Sequence, residues 1–288
     1  MTKPLFMQRT ELVHKAVIIH CLNKHGKPID NAYASGFILR EEDGLYLYTC
    51  WHVVSGIKDM YNLKSSGYKF ERTALRVSLQ KSDEQQTGSK LRAFVINGLN
   101  EFDVPLYELT TEDSYKPLWR QEPTSTRLIY LETNDSEYVE IKAPEKLDAI
   151  KIKLPDTFKT SDIHIIEQDN IWKNLIFPGE RLYISGYPYK FSARGPQQPL
   201  AVVLTRFIAG TSIEGRLGEF LIDGAGASGM SGSPVFVEKE QNIYLIGLYA
   251  GIIYTLTKDN KHNDIGALGT CVDMTTTWTH DIAALCVI

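Results

Sequence analysis

Short apolar runs rich in Val, Ile, Tyr and Thr recur along the chain, each broken by Gly, Pro, Asn or Asp. This is the pattern of strands and turns, and between Ser55 and Lys146 no helical period of apolar residues is sustained. Lys15 to Leu22 reads as a strand, Asn23 to Pro28 as a turn and Ala34 to Leu39 as a second strand. The bend Arg40 to Gly44 then returns the chain through Leu45 to Thr49, which delivers His52 at a strand end with Ser55-Gly56 as the breaker. The middle of the chain is more polar. It carries candidate strands at Leu75 to Leu79, Leu91 to Ile96 and Arg127 to Leu131, with Ser82 to Ser89 as a solvated loop. Ile150, Ile152 and Leu154 alternate on one face, and Leu154 to Ser161 reads as a linker. A second set of strands begins near Ile163 and comprises Arg181 to Ser185, Ala201 to Gly210, Glu219 to Ile222, Pro234 to Val237 and Tyr244 to Gly251. At the end, Trp278, Ile282 and Leu285 have helical spacing and predict a short C-terminal helix. The pattern therefore describes an all-β unit over 1–288, with an N-terminal half at 10–158 and a C-terminal half at 163–288.

Two stretches carry candidate chemistry. Gly229-Met230-Ser231-Gly232-Ser233-Pro234 places a serine between glycines at a tight bend and then enters the apolar run Pro234 to Val237. A hydroxyl nucleophile needs an exposed oxygen and backbone N–H groups able to reach the developing oxyanion, and flanking glycines permit both. Gly229 and Ser231 would supply those N–H groups. A plain Gly/Ser turn between strands explains the same residues, but the stretch is longer than a turn needs. A serine so held requires a base. His52, at the end of Tyr46-Leu47-Tyr48-Thr49-Cys50-Trp51, stands in an equally marked place, although a lone histidine is more often a half-buried one with a backbone partner.

Thr49-x-Trp51-His52-Val53-Val54 and Gly229-x-Ser231-Gly232-x-Pro234 resemble the histidine and serine boxes of chymotrypsin-like (trypsin-like) serine peptidases, and the order of histidine before serine agrees. The chain is more similar to bacterial trypsin-like peptidases, including the DegP-like type, in Gly179 to Pro188 and in Phe220 to Asp223. The resemblance runs from about Val17 to the end and is weak between Lys58 and Lys146. It implies two antiparallel six-stranded β-barrels with the active site between them, and a serine endopeptidase that works through a Ser-His-Asp triad and an acyl-enzyme. It also implies that the residue six before the serine, Ala225, floors the primary pocket, with Tyr249, Ala250 and Gly251 as its wall. Ala225 offers no counter-charge for Arg or Lys, so small or medium apolar residues are expected before the cut, with Asp223 the nearest acid that could alter this. No extra peptide-binding domain of the DegP-like kind is expected, so any regulatory partner would be a separate chain.

The third member should be a carboxylate that follows the histidine and opens a strand. Asp148, in Leu147-Asp148-Ala149-Ile150, resembles the family's acid box, and the pairs Pro105-Leu106-Tyr107 and Pro117-Leu118-Trp119 precede it as they precede the acid in related bacterial sequences. Asp103 is the alternative. It lies at a separation from His52 closer to the usual one, but Pro105 removes a backbone donor from its strand. Asp148 is the acid taken here. A binding or scaffold protein that keeps the fold without turnover is the competing reading, and an α/β-hydrolase is disfavoured because Ser233 stands where its Gly-x-Ser-x-Gly elbow needs glycine.

Composition narrows the remaining classes. With 288 residues, 43% hydrophobic and 23% charged, the chain can build an ample core. A net charge of −4 with no Lys/Arg cluster gives no footprint for nucleic acid. No apolar window suits a membrane span or a signal peptide, so a cytoplasmic protein is expected. Cys21, Cys50, Cys271 and Cys286 are far apart and read as reduced core thiols, and His14, His20 and His25 are not spaced as a metal site. Neither metal nor cofactor is expected, and the partner is a protein or peptide substrate.

Overall fold

The computed structural model describes residues 3–56, 72–86, 92–111, 114–121, 124–132, 138–193, 200–211, 218–224, 226–256 and 262–275. The alternating runs form strands, as β-branched and aromatic residues with one buried face favour. In the first half, β1 (Val17–Leu22), β2 (Pro28–Glu41) and β3 (Gly44–Thr49) are joined by tight turns, and α1 (Leu5–Glu11) precedes them. A short helix, α2 (Trp51–Ser55), follows β3. Next come β4 (Ala74–Gln86), β5 (Arg92–Pro105), β6 (Tyr107–Thr111), β7 (Ser114–Pro117), β8 (Trp119–Gln121), β9 (Thr124–Glu132), β10 (Tyr138–Lys146) and β11 (Ile150–Lys153). The second half holds β12 (Ile165–Glu167), β13 (Arg181–Gly186), β14 (Val202–Gly210), β15 (Glu219–Ile222), β16 (Pro234–Lys239), β17 (Asn242–Leu256) and β18 (His262–Asp273).

β13 to β18 close into a six-stranded barrel in the order β13-β14-β15-β18-β17-β16. Its interior is apolar, with Leu182, Ile184, Phe220, Val235, Val237 and Ile246 fully or almost fully withdrawn from water. The first half is a curled sheet ordered β5-β4-β1-β2-β3-β11-β8, with β12 added alongside β2. The long β2 makes the curl: Pro28 to Gly36 ladder with β1, and Phe37 to Glu41 ladder with β3. Among the described residues no ladder joins β5 to β8, so a second closed barrel is not formed there. Its apolar face and residues of the second half, including Tyr183, Phe236, Leu245 and Leu248, share one core, and the two halves are packed as one body.

Two local expectations change, and one element is added. His52 sits in the first turn of α2 and not at a strand end, because β3 stops at Thr49 and the chain turns helical until Gly56 caps it at φ 76°. The stretch expected as a loop from Ser82 is strand as far as Gln86, since β4 and β5 extend as a hairpin in which Gln86 pairs with Arg92. The first described residues form α1, which no apolar stripe announces and none of whose residues is buried. It is held from outside: Arg9 binds Glu238 at 2.6 Å, and Gln8 accepts from the Ile243 N–H at 3.0 Å. The predicted C-terminal helix lies outside the described residues, and no described helix is long and apolar enough to cross a membrane.

Lys15 joins this N-terminal segment to β12 by donating to the Ile165 carbonyl at 2.7 Å. Burial is the largest influence on its ammonium and lowers its pKa to about 8. The unfolded chain, with an ordinary lysine, binds more protons than the folded chain above that value and up to the lysine range near 10.5. Stability from this group therefore rises with pH between about 8 and 10.5 and is lost as pH falls through that window. We expect the melting temperature of Lys15→Met to lack a gain between pH 7.5 and pH 9.5 that the natural protein shows; parallel profiles would remove Lys15 from this role.

Candidate functional site

The site is assembled where α2, the start of β11 and the Gly229–Ser233 bend meet. Ile150 of β11 pairs with Thr49 of β3, so in an antiparallel ladder Asp148 falls opposite the residues that open α2. Buried Leu147 and Ala149 anchor Asp148 on either side. Its Oδ1 accepts the His52 backbone N–H at 2.9 Å, and its Oδ2 lies 2.6 Å from His52 Nδ1. One carboxylate thus satisfies an N–H at the helix start and orients the ring. A ring that donates from Nδ1 leaves Nε2 as an acceptor. The Arg72 guanidinium donates to the His52 and Val53 carbonyls, so a cation also closes the other end of α2.

Asp103 is elsewhere. It sits opposite Arg76 on the outer hairpin, at the far side of β1 and β2 from β3, and receives both Arg76 Nε at 2.8 Å and a terminal guanidinium nitrogen at 2.9 Å. The arginine hydrogen bonds hold its pKa below the ordinary aspartate value.

The serine bend is shaped by its glycines and by contacts with the first half. Gly229 has φ +93° and Gly232 φ +85°, a region open to glycine and strained for other residues. A Cβ on Gly232 would stand 2.2 Å from the Ser35 carbonyl oxygen and 2.4 Å from Thr49 Oγ1, so this approach of the halves requires glycine. Ser35 N–H donates to the Ser231 carbonyl at 2.9 Å, and Thr49 Oγ1 donates to the Ser35 carbonyl at 2.9 Å. Tyr249 accepts through its carbonyl from the Gly232 N–H at 2.8 Å and from Cys50 Sγ at 3.3 Å. Ser231 and His52 are therefore on adjoining segments, since residues 231 and 232 on one side and residues 49 and 50 on the other all bond Ser35 or Tyr249. Among the described residues no hydrogen bond joins the Ser231 hydroxyl to His52, and none uses the N–H of Gly229 or of Ser231. The N–H groups of Met230, Gly232 and Ser233 are all engaged.

Around the expected pocket, Ala225 lies outside the described residues. The Tyr249 ring is buried, and its hydroxyl accepts the Gly226 N–H at 2.7 Å. Ala250 is buried and Gly251 half-buried beside it. Asp223 is exposed and turned to β14, where its Oδ1 accepts the Phe207 N–H at 2.8 Å.

Cys50, His52 and Asp148 bring their ligand-type atoms within 4.8 Å of one another. These atoms already have partners: Asp148 Oδ2 meets His52 Nδ1, and Cys50 Sγ donates to the Tyr249 carbonyl. Burial first, and then the Asp148 charge, pushes the Cys50 thiol well above its ordinary pKa. Cys21 and Cys271 are also buried free thiols.

Ser35 is the residue that the sequence did not single out. Its only local signal is a small polar residue inside the otherwise apolar run Ala34 to Leu39, and the partners of its hydroxyl, Gly229 and Tyr187, are distant in sequence. No protein-family model matches the chain, and a search of curated proteins finds no match.

Proposed function

We propose that the protein is a serine endopeptidase of the chymotrypsin-like type, with Ser231 as nucleophile, His52 as base, Asp148 as the acid that orients His52, and the N–H groups of Gly229 and Ser231 as the oxyanion site. The second, N-terminal barrel of that type would correspond to the curled sheet of the first half. The observation that carries the reading is Asp148 bound at once to the His52 N–H and to its ring, beside a Gly-flanked serine whose two neighbouring donors are unused. In the reaction, Ser231 Oγ adds to the scissile carbonyl carbon while its proton passes to His52 Nε2, and Asp148 stabilises the imidazolium without taking the proton. The imidazolium then protonates the leaving amine as the C–N bond breaks, and water repeats the sequence to free the acyl group. No step uses a metal or cofactor. The missing bond between Ser231 and His52 agrees with the long or misaligned catalytic hydrogen bonds common before substrate binds.

The test is labelling by a fluorophosphonate, which reacts with an activated serine and should be found on Ser231. An unlabelled, folded protein would favour a silent scaffold with this fold.

Small or medium apolar residues should precede the cut. A cation would enter a site walled by Tyr249 and Ala250 and lose its hydration without a counter-charge, since Asp223 is bound to Phe207 on the outside. A peptide library should show Ala, Val or similar residues before the cleaved bond. Dominant cleavage after Arg or Lys would mean that an acid reaches the pocket.

A further inference from the structure

The geometry points to Ser35 as a positioning residue that holds the peptide planes following the two oxyanion donors, so that Gly229 and Ser231 are fixed on both sides, a role that rests on the hydrolytic reading above. In a trans peptide the carbonyl and the following N–H point in opposite directions, so holding a carbonyl aims the next N–H. The Gly229 N–H belongs to the plane whose carbonyl, that of Ser228, accepts the Tyr189 N–H at 2.6 Å. The Ser231 N–H belongs to the plane whose carbonyl, that of Met230, accepts the Ser233 N–H at 2.9 Å. Two further planes remain: that between Gly229 and Met230, and that between Ser231 and Gly232. Ser35 holds both. Its Oγ donates to the Gly229 carbonyl at 2.8 Å, and its N–H donates to the Ser231 carbonyl at 2.9 Å.

The hydroxyl has a single proton, and its neighbours leave no ambiguity about where it goes. Tyr187 N–H donates to Ser35 Oγ at 3.0 Å, so the Ser35 proton faces the Gly229 carbonyl. Ser35 is fully buried, and nothing in solvent can replace it. The lock is needed because Gly229 lacks a Cβ, and its flanking peptides can rotate more freely than those of any other residue. A second feature serves the same end. Tyr189, whose N–H fixes the Ser228 carbonyl, has φ 52°, and Lys190 after it has φ 59°. Two adjacent non-glycine residues in the left-handed region form a strained turn, and such strain persists where the surroundings enforce it. Here the turn lies against the donor loop.

Donors steadied through Ser35 meet substrate charge only in the transition state, so their misalignment is read in kcat and not in KM. Ser35→Ala should lower kcat about ten- to hundredfold, somewhat less than removal of a donor itself, and leave KM within about twofold. A peptide aldehyde, whose adduct with Ser231 carries an oxyanion, should lose affinity in the same proportion. The midpoint of the pH–rate profile should stay in place because the His52–Asp148 pair is untouched. Ser35→Cys, nearly the same shape with a weaker donor, should fall between and serves if the alanine variant folds poorly. An unchanged kcat in a folded Ser35→Ala protein overturns the inference, as does a fall in kcat with full aldehyde affinity. A natural protein that fluorophosphonate does not label overturns the hydrolytic reading first, and labelling of the natural protein separates the two failures.

Discussion

Ser231→Ala is expected to lose about a million-fold in kcat, the scale seen when other triads lose the serine, and to lose fluorophosphonate labelling altogether. The size follows from what the hydroxyl does. Without it no acyl-enzyme forms, and only binding and the oxyanion donors remain to assist water. The fold should survive, because the bend is held by backbone bonds: Ser35 N–H to the Ser231 carbonyl, Gly232 N–H to the Tyr249 carbonyl and Ser233 N–H to the Met230 carbonyl. A melting temperature close to the natural one would separate lost chemistry from lost structure. Turnover surviving near its natural level would take Ser231 out of the mechanism.

The pair Asp148→Asn and Asp103→Asn should divide sharply, the first losing about ten-thousand-fold in kcat and the second staying near normal. An asparagine at 148 can still accept the His52 N–H at one oxygen, but its amide nitrogen would then face Nδ1. The ring is pushed to the tautomer that carries its proton on Nε2, where it cannot accept from Ser231. At 103 the change removes an exposed pairing with Arg76, and exposed pairs contribute only about 0–1 kcal/mol. Steady-state rates with both variants shown to be folded decide the matter. An inactive Asp103→Asn beside a normal Asp148→Asn would reverse the assignment.

The choice between those two acids shows how far reading the sequence goes: the resemblance to an acid box favoured Asp148, while the separation from His52 favoured Asp103. Both open or lie in strands after the histidine, and Asp103 has the more usual separation. In the structure strand register separates them: Ile150 opposite Thr49 carries Asp148 to the start of α2, while Asp103 opposite Arg76 lies on the outer hairpin. Register is set by which strands share a buried face, a long-range outcome that no local pattern contains. α1 was illegible for a related reason, since it buries no residue and depends on Glu238 and Ile243 more than two hundred positions away.

By itself the sequence determined the all-β character, most strand positions and the two candidate segments around His52 and Ser231, because alternation and turn chemistry act over a few neighbouring residues. Only the tertiary structure decided that the second half closes into a barrel while the described first half stays an open curl, since closure depends on whether edge strands meet. It likewise decided that Asp148 meets His52 and that Ser35 meets the serine bend, contacts between segments separated by about a hundred residues and by nearly two hundred. Their partners are brought within bonding distance by packing of the two halves on a shared apolar core, and that packing depends on the whole chain at once.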